Sequence, residues 1–448
     1  MQHTEKMEAK LKMTCYNEGF FEIIKSCAEK HPEKTALIHE SRRETYSQLL
    51  KNTGKLAAVL LKMGVQPGDR LAIISRNCIF PQEICEAMGI YVMYPENHAA
   101  GVSARHEADP YLKAAEGECG YNNDICAYAK LNLAYAEALS EGGSIPLPDF
   151  LLLTNNICNQ LTPWYENLSE KLGIPLIMID CVYNYDDYVM ENRVKYMRSQ
   201  LEVAIVRIQE ITGKVFDEEK FTHVMEISAR NKDLWYDANE YMKYKPSPLN
   251  GFELFNYMGP MVCHRGEEST TKILEALHEE IQEHIKNGTS TFKEEEKYRV
   301  YWEGIACWPY LRHTMTTLRD RGINMVATGY GIAWALDYKT NDLDGMARAY
   351  AFCPNNNVSL NNLVDRRVSA LKRFQCDGMI YHVNRSCKVM DCMQMAIQRQ
   401  IAKQVDVPFI SFDGDQADYR NYSEAQYETR VQGLLEVMQT KKEVKENE

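Results

Sequence analysis

Continuous apolar runs alternate along this chain with segments whose apolar residues recur every three or four positions. The first pattern predicts strands that are buried on both faces, and the second predicts helices. Buried strands that alternate with helices are typical of parallel sheets covered by helices on both sides. The pattern therefore predicts an α/β fold.

The clearest feature is a repeat of strand, cysteine-bearing turn, helix and second strand. One copy spans 149–180 with Cys158 in its turn, and the other spans 378–413 with Cys387 in its turn. Side chains that follow parallel strands lie at the carboxyl edge of the sheet, where open α/β sheets bind ligands. We expect both cysteines at such an edge.

Each repeat has a companion strand–helix–strand segment upstream, at 71–94 and 299–328. The pattern thus predicts two doubly wound, Rossmann-like parallel-sheet domains, at 65–185 and 298–440, joined by a helical region at 186–297. Facing sheet edges would form a cleft between the two domains, which is a preferred place for ligands.

The two ends of the chain differ from this pattern. Residues 1–64 are interpreted as an N-terminal extension, and the charged residues 441–448 as a disordered tail. The last predicted helix opens at 423–426, whose Ser-Glu-Ala-Gln sequence is a capping-box pattern.

Composition narrows the class of protein. The 448 residues carry a net charge of −12, which disfavours nucleic acid and anionic membranes as partners. No apolar stretch approaches the roughly 20 residues of a membrane helix, and the charged N-terminus lacks a signal-peptide core. We expect a cytoplasmic protein, in which the 14 cysteines are thiols rather than disulfides.

Three of these cysteines follow asparagine-bearing turns: Cys126, Cys158 and Cys387. Three thiols that converge on one cleft would suit a soft metal centre, with iron–sulfur chemistry a leading candidate. The alternative is that they are small buried hydrophobic side chains, which is the better interpretation for most of the others.

From about Phe80 to Met438 the chain resembles the α-subunit family of (R)-2-hydroxyglutaryl-CoA dehydratase, within the wider group of 2-hydroxyacyl-CoA dehydratases and benzoyl-CoA reductases. The matching segments are 94–101, 120–129, 155–159, 164–167, 303–309, 384–388, 412–418 and 426–433.

The resemblance implies a [4Fe–4S] cluster on Cys126, Cys158 and Cys387, with the fourth iron left open. It also implies a homologous β subunit with its own cluster, and a separate ATP-hydrolysing iron–sulfur activator that supplies one electron. The implied reaction is a radical loss of water from an (R)-2-hydroxyacyl-CoA. A ketyl formed at the thioester carbonyl expels the α-hydroxyl, and the product is a 2-enoyl-CoA.

Three residues are candidates for catalysis. Ser75 occupies the stretch where the family usually has a serine-rich turn near the open iron. Glu96 and His98 follow a predicted strand end and are suited to proton transfer. A buried, hydrogen-bonded histidine is the equal alternative for His98.

Four residues are candidates for substrate binding. The amides of Asn155, Asn156 and Asn384 are expected to point at the cluster or the thioester, and they are equally suited to capping the helices that follow. Arg385 is suited either to CoA phosphates or a substrate carboxylate, or to an ion pair with a neighbouring acid.

Residues 17–79 resemble the start of an acyl-adenylating enzyme, most clearly at 31–38, 44–49 and 64–74. The Ser/Thr/Gly-rich phosphate loop that adenylation requires is missing from the sequence, so we expect no adenylating activity.

Two other functions stay open at this point. One is an ATP-dependent aromatic acyl-CoA reductase subunit of the same family, and the other is a non-catalytic structural or electron-relay partner. The sequence determines neither the acyl group of the substrate nor the presence of a flavin, for which it offers no identifiable site.

Overall fold

The computed structural model describes residues 20–39, 42–52, 81–139, 148–352 and 358–447. The chain divides into two compact units, Met1–Arg70 and Leu71–Glu448. In the first unit, the described elements include helix α1 and an antiparallel pair of strands: α1 Phe20–Lys30, β1 Thr35–His39 and β2 Arg42–Thr45.

The second unit begins, in its described part, with helices that precede a short parallel sheet. The helices are α2 Gln82–Ala87, α3 Pro95–Ala104, α4 Asp109–Gly117 and α5 Ala127–Leu139. The sheet pairs β3 Leu151–Thr154 with β4 Leu176–Ile179, and α6 Leu161–Leu172 connects them. This is the first predicted repeat, which the structure confirms.

The strand predicted at the end of the upstream companion is absent from the described residues. Residues 90–94 form no strand, and α3 begins directly after them with Pro95 at its first position. Proline suits the first turn of a helix because the amide it lacks has no partner there. The other predicted strand of this companion, near residue 71, lies outside the described residues.

The region predicted to be helical is helical: α7 Glu191–Thr212, α8 Glu218–Glu240, α9 Glu253–Cys263 and α10 Glu268–Asn287. In α7 apolar residues at helical spacing are buried, as at Leu201 and Ile208. At the start of α10, Leu274 is buried and the adjacent Ile273 is exposed.

A four-stranded parallel sheet follows, with the order β6-β5-β7-β8. The elements are β5 Tyr298–Glu303, α11 Leu311–Arg319, β6 Ile323–Thr328, α12 Gly329–Ile332, α13 Leu343–Ala351, α14 Leu360–Arg373, β7 Gly378–Asn384, α15 Lys388–Ile401, β8 Phe409–Gly414 and α16 Glu424–Asn447. β6 lies on one side of β5, and β7 lies on the other. The gap between β5 and β7 is therefore a topological switch point, where α/β sheets open a crevice for ligands.

The described strands of the second unit are parallel and alternate with helices, which confirms the α/β class. They form sheets of two and four strands. Two complete doubly wound domains stay a prediction.

One packing feature joins the two sheet regions. Residues 336–351, which follow β6, bury Tyr338, Met346 and Tyr350 in the same core as Ile177 and Leu201 from the region of the short sheet. The larger core packs the helices α8–α10 against the four-stranded sheet. Both sheet regions therefore belong to one compact unit.

The C-terminal residues differ from the predicted disordered tail, because α16 continues to Asn447. Lys441 forms an ion pair with Asp406, and the Lys442 ammonium lies 5.8 Å from the ring centroid of Tyr298. These contacts hold the charged end of the helix against the rest of the unit. Among the helices that the structure describes, none is long and apolar enough to cross a membrane.

Candidate metal and substrate site

A cavity of about 1000 Å³ opens at the carboxyl ends of the strands. Its wall includes the ends of β5 and β6 and the facing sides of α14 and α15. Its volume is at the upper end of the roughly 300–1,000 Å³ that is usual for small-molecule sites.

The structure brings the three predicted cysteines together at this cavity. Cys126, Cys158 and Cys387 all line it, and all three are partly exposed residues outside any disulfide. Cys126 directly precedes α5, Cys158 lies in the turn after β3, and Cys387 lies in the turn after β7. Their role as metal ligands stays a prediction.

The three thiols influence one another electrostatically. Burial raises the pKa of the Cys126 thiol to about 12, with further contributions from Cys158 and Glu96. Burial also raises the pKa of Cys387 well above its ordinary value, and both other thiols add to the shift. A bound cation would reverse this effect, because positive charge favours the thiolate form that binds metals.

The described residues contain no group of three or more His, Cys, Asp or Glu side chains that converges on a single metal ion. The cysteines therefore share a cavity without forming a mononuclear metal site.

Two polar side chains connect the Cys126 and Cys387 turns. The Ser386 hydroxyl accepts hydrogen bonds from the Ala127 backbone amide at 3.0 Å and from Gln416 Nε2 at 3.0 Å. The same Gln416 nitrogen lies 3.5 Å from the Cys126 sulfur. Sequence reasoning missed Ser386 and Gln416 as site residues, although both lie in segments that carry the family resemblance.

Asp415 stabilises the turn after β8 and extends to the Cys387 turn. One carboxylate oxygen accepts from the backbone amides of Ala417 at 3.0 Å and Asp418 at 3.1 Å. The other accepts from the Ser386 amide at 3.1 Å. These contacts agree with a turn held by side-chain-to-backbone bonds.

The Cys158 turn is held by its own asparagines. Asn155 Oδ1 accepts from the Cys181 amide at 2.7 Å, and Asn155 Nδ2 donates to Asp180. Asn156 Oδ1 accepts from the Thr154 hydroxyl at 2.9 Å. Both asparagines line a second, smaller cavity rather than the large one. Contact of these amides with substrate stays a prediction.

The two other candidates for substrate binding also lie outside the wall of the large cavity. Asn384 is fully buried at the end of β7, and its side-chain nitrogen donates to the His382 carbonyl at 3.0 Å. Arg385 is exposed and lies 3.6 Å from an Asp413 carboxylate oxygen, which is the ion-pair alternative for this residue.

Of the three candidates for catalysis, Glu96 lines the cavity, and its charge contributes to the raised pKa of Cys126. The His98 ring packs edge-on against Tyr135 at 4.6 Å between centroids and lies outside the cavity wall. Burial lowers the pKa of His98. Ser75 lies outside the described residues.

The cavity wall also carries basic groups that the sequence did not single out. Arg348 pairs with Glu191 at 2.8 Å, and Arg373 pairs with Glu240 at 3.0 Å. The sequence does not reveal these arginines because their ion-pair partners are distant in the sequence. A single basic residue on a helix usually indicates only a solvent-exposed face.

Comparison with known proteins identifies the family of this chain. The sequence model of the family described as "2-hydroxyglutaryl-CoA dehydratase, D-component" matches residues 77–438. The chain belongs to this family. The predicted resemblance is thereby confirmed, as is the dehydratase (hydro-lyase) class of enzyme subunit.

Curated members are similar over most of their length. The chain is 48% identical to the (R)-2-hydroxyisocaproyl-CoA dehydratase alpha subunit of Clostridioides difficile, over 83% of this chain and 91% of the relative. It is 37% identical to the (R)-2-hydroxyglutaryl-CoA dehydratase alpha subunit of Acidaminococcus fermentans, over 82% and 91%. A benzoyl-CoA reductase subunit of Thauera aromatica is more distant, at 26% over 78% and 84%.

The N-terminal segment of this family member has a separate resemblance, as the sequence predicts. Residues 24–84 match the model of AMP-binding enzymes. A 3-oxocholest-4-en-26-oate–CoA ligase of Rhodococcus rhodochrous is 39% identical over 67 residues, which is only 12% of the ligase.

Proposed function

We propose that this chain is the α-type subunit of a 2-hydroxyacyl-CoA dehydratase and holds a [4Fe–4S] cluster on Cys126, Cys158 and Cys387. The reaction is the elimination of water from an (R)-2-hydroxyacyl-CoA to give a 2-enoyl-CoA. The observation that carries the proposal is that these three thiols line one cavity large enough for a small-molecule substrate.

The donor set fits a cluster better than a single ion. In a [4Fe–4S] cluster each thiolate binds its own iron, so the sulfurs need not converge on one point. Three thiolates leave one of four irons without a protein ligand, and an open position distinguishes a catalytic metal site from a structural one. When bound, such a cluster supplies Lewis-acid and one-electron chemistry.

The radical course of the elimination belongs to this proposal. It requires one electron from an ATP-hydrolysing iron–sulfur activator, and the electron is returned at the end of each turnover. The curated relatives are named as alpha subunits. We therefore include a partner β subunit with its own cluster in the proposal.

The chain's own residues have distinct tasks in this scheme. Ser386 and Gln416 fix the spacing between the Cys126 and Cys387 turns. Glu96 lines the cavity, which supports its proposed role as the group that accepts the proton lost from the substrate.

Two basic groups of the cavity wall, Arg348 and Arg373, suit the phosphates of coenzyme A. The side chains of Arg348 and Arg373 are 40% and 43% exposed. Exposed ion pairs are weak and exchange partners readily, and the guanidinium group matches phosphate geometry.

The aromatic acyl-CoA reductase alternative is disfavoured by the lower identity to the reductase chain, 26% against 48% for the dehydratase chain. The measurement of iron, sulfide and turnover given next distinguishes the dehydratase proposal from a non-catalytic role.

The test is anaerobic determination of iron and acid-labile sulfide in the chain co-expressed with its partner subunit. We expect about four of each per chain from this subunit, lost on Cys158→Ala, together with turnover of a 2-hydroxyacyl-CoA. Cys392→Ala is the matched control, because this thiol is exposed on α15 and lines only the smaller cavity. A folded complex without iron would overturn the proposal.

A further inference from the structure

A buried amide contacts one of the three thiols directly. Gln416 is 1% exposed, and it lines the large cavity together with Cys126. Its side-chain nitrogen lies 3.5 Å from the Cys126 sulfur and 3.0 Å from the Ser386 hydroxyl oxygen. Because sulfur is larger than oxygen, the first distance is suited to an N–H···S hydrogen bond. The Cys126 thiol therefore has a side-chain donor within reach.

Hydrogen bonds fix Gln416 at both ends. The buried carboxylate of Asp415 accepts from the backbone amides of Ala417 and Asp418, so the turn that carries Gln416 is fixed. The Ser386 hydroxyl then fixes the far end of the Gln416 side chain. A donor that is already held in place loses little conformational entropy when its acceptor arrives. The amide is thus preorganised toward the cysteine.

The amide nitrogen, rather than the amide oxygen, suits a thiolate at Cys126. A thiolate and an amide oxygen are both hydrogen-bond acceptors, whereas the amide nitrogen only donates. The nitrogen of Gln416 carries two hydrogens, which correspond to its two contacts, with Ser386 and with Cys126. Both hydrogens are therefore used when Cys126 is a thiolate, which is the form that binds metals.

Cys126 also lies among negative charges. Burial raises the pKa of its thiol, and the carboxylates of Glu96 and Asp415 add to the rise. The Ala129 backbone amide, in the first turn of α5, acts in the opposite direction. Nearby negative charge repels an electron added to an iron–sulfur cluster, whereas an N–H directed at one of its sulfurs attracts it. The Gln416 amide thus opposes the effect of the two carboxylates.

We propose that Gln416 is a positioning residue that acts through Cys126 and raises the reduction potential of the cluster by an N–H···S hydrogen bond. This inference rests on the proposed function, and it names the side chain that adjusts how readily the centre takes up its electron. The reduced centre carries one more negative charge, so its sulfur accepts the hydrogen bond more strongly than the sulfur of the oxidised centre. The buried position of the amide strengthens the effect.

The test is a dye-mediated potential titration of the intact complex, in which electron paramagnetic resonance follows the reduced cluster. Gln416→Leu keeps the approximate volume of the side chain and removes its N–H groups. At the potential where the wild-type centre is half reduced, the ratio of reduced to oxidised centre should be about tenfold lower in this variant, which corresponds to a midpoint lower by about 59 mV. An unchanged midpoint in an iron-loaded Q416L complex would overturn the inference.

A matched control comes from α15, the helix that follows Cys387. Gln398 is 4% exposed, and its side-chain nitrogen has no hydrogen-bond partner among the described residues. Gln398→Leu therefore removes a buried amide that donates no hydrogen bond in this part of the chain, and the midpoint should stay at the wild-type value. Equal shifts in Q398L and Q416L would assign the effect to packing and contradict the inference. The partner subunit's cluster lies in an unaltered chain and serves as an internal reference.

A second variant covers the loss of the cluster from Q416L. Gln416→Met has an unbranched side chain of similar length, and the same lower midpoint is expected. Loss of the cluster from both variants, with Q398L intact, would show that Gln416 retains the cluster rather than adjusts its potential, and the inference would fail. The dehydratase proposal fails on a different result, which is a folded wild-type complex without iron. Iron and turnover in the wild type together with an unchanged midpoint in Q416L overturn the inference alone.

Discussion

The turns that carry Cys158 and Cys387 follow the same strand–turn–helix pattern, yet they are held from opposite directions. Asn155 reaches out of the Cys158 turn to the end of the neighbouring strand, where it bonds the Cys181 amide. At the Cys387 turn the neighbouring strand reaches in, through Asp415 to the Ser386 amide. Two turns with the same local pattern can therefore be held by different long-range hydrogen bonds.

The difference has a consequence for the site. The tie at Cys387 continues through the Ser386 hydroxyl to Ala127 and through Gln416 to Cys126. The tie of Asn155 stays between β3 and β4. A substitution in the hydrogen bonds of Asp415, Ser386 and Gln416 should thus disturb both Cys126 and Cys387. A substitution of Asn155 should disturb only Cys158.

Asp415→Ala should have the largest effect. The variant removes a buried carboxylate that accepts bonds from Ser386, Ala417 and Asp418. We expect a loss of about 3 kcal/mol in stability, since hydrogen bonds to charged groups contribute roughly 1.5–3 kcal/mol each and do not simply add. Thermal unfolding and iron content measure the effect.

Asp413→Ala is the control for this variant, because that carboxylate is 47% exposed and has only a distant ion pair with Arg385. Iron content in D415A equal to that in D413A would break the comparison between the two turns.

Gln416→Ala should have an intermediate effect. It removes the bond to Ser386 and the contact with Cys126 and leaves the backbone of both turns intact. The complex should assemble its cluster and lose iron to a chelator about fivefold faster, which corresponds to about 1 kcal/mol for one hydrogen bond. Gln432→Ala, on the exposed face of α16, provides the background rate. An unchanged rate in Q416A would show that the connection between the turns is unimportant.

Asn155→Ala should have the smallest effect, because its two bonds lie at a partly exposed turn. We expect the free energy of unfolding to fall by about 0.5 kcal/mol, the low end of the range for intramolecular hydrogen bonds. Combining it with Q416A sharpens the comparison. Their effects on iron retention should add, whereas those of S386A and Q416A should not, because Ser386 and Gln416 share a hydrogen bond. Strongly non-additive effects of N155A and Q416A on iron retention would contradict the view that the two turns are held by independent hydrogen bonds.

The sequence predicts the elements that depend on local pattern. The apolar runs of β3, β4, β7 and β8 and the turns after them are readable because buried strands and polar turns have short-range signatures. Cys158 and Cys387 emerge from those turns, whereas Cys126 emerges from an asparagine-bearing turn before α5 and from the family resemblance.

What the sequence does not reveal depends on distant contacts. Ser386 meets Ala127 across 259 positions, and Arg367 meets Glu303 across 64. The Asn384 side-chain amide donates to the His382 carbonyl, which the sequence does not predict, and its contact with the substrate stays a prediction. Residues 90–94 are apolar enough to predict a strand, but the adjacent Pro95 begins a helix.

The segment 336–351 constrains how the enzyme can move. It starts beyond the four-stranded sheet and buries Tyr338, Met346 and Tyr350 in the core around the short sheet. Rotating one sheet region away from the other would pull these side chains into water, at a cost of roughly 1.5–3 kcal/mol for each large apolar group. A hinged opening between the two sheet regions is thereby disfavoured.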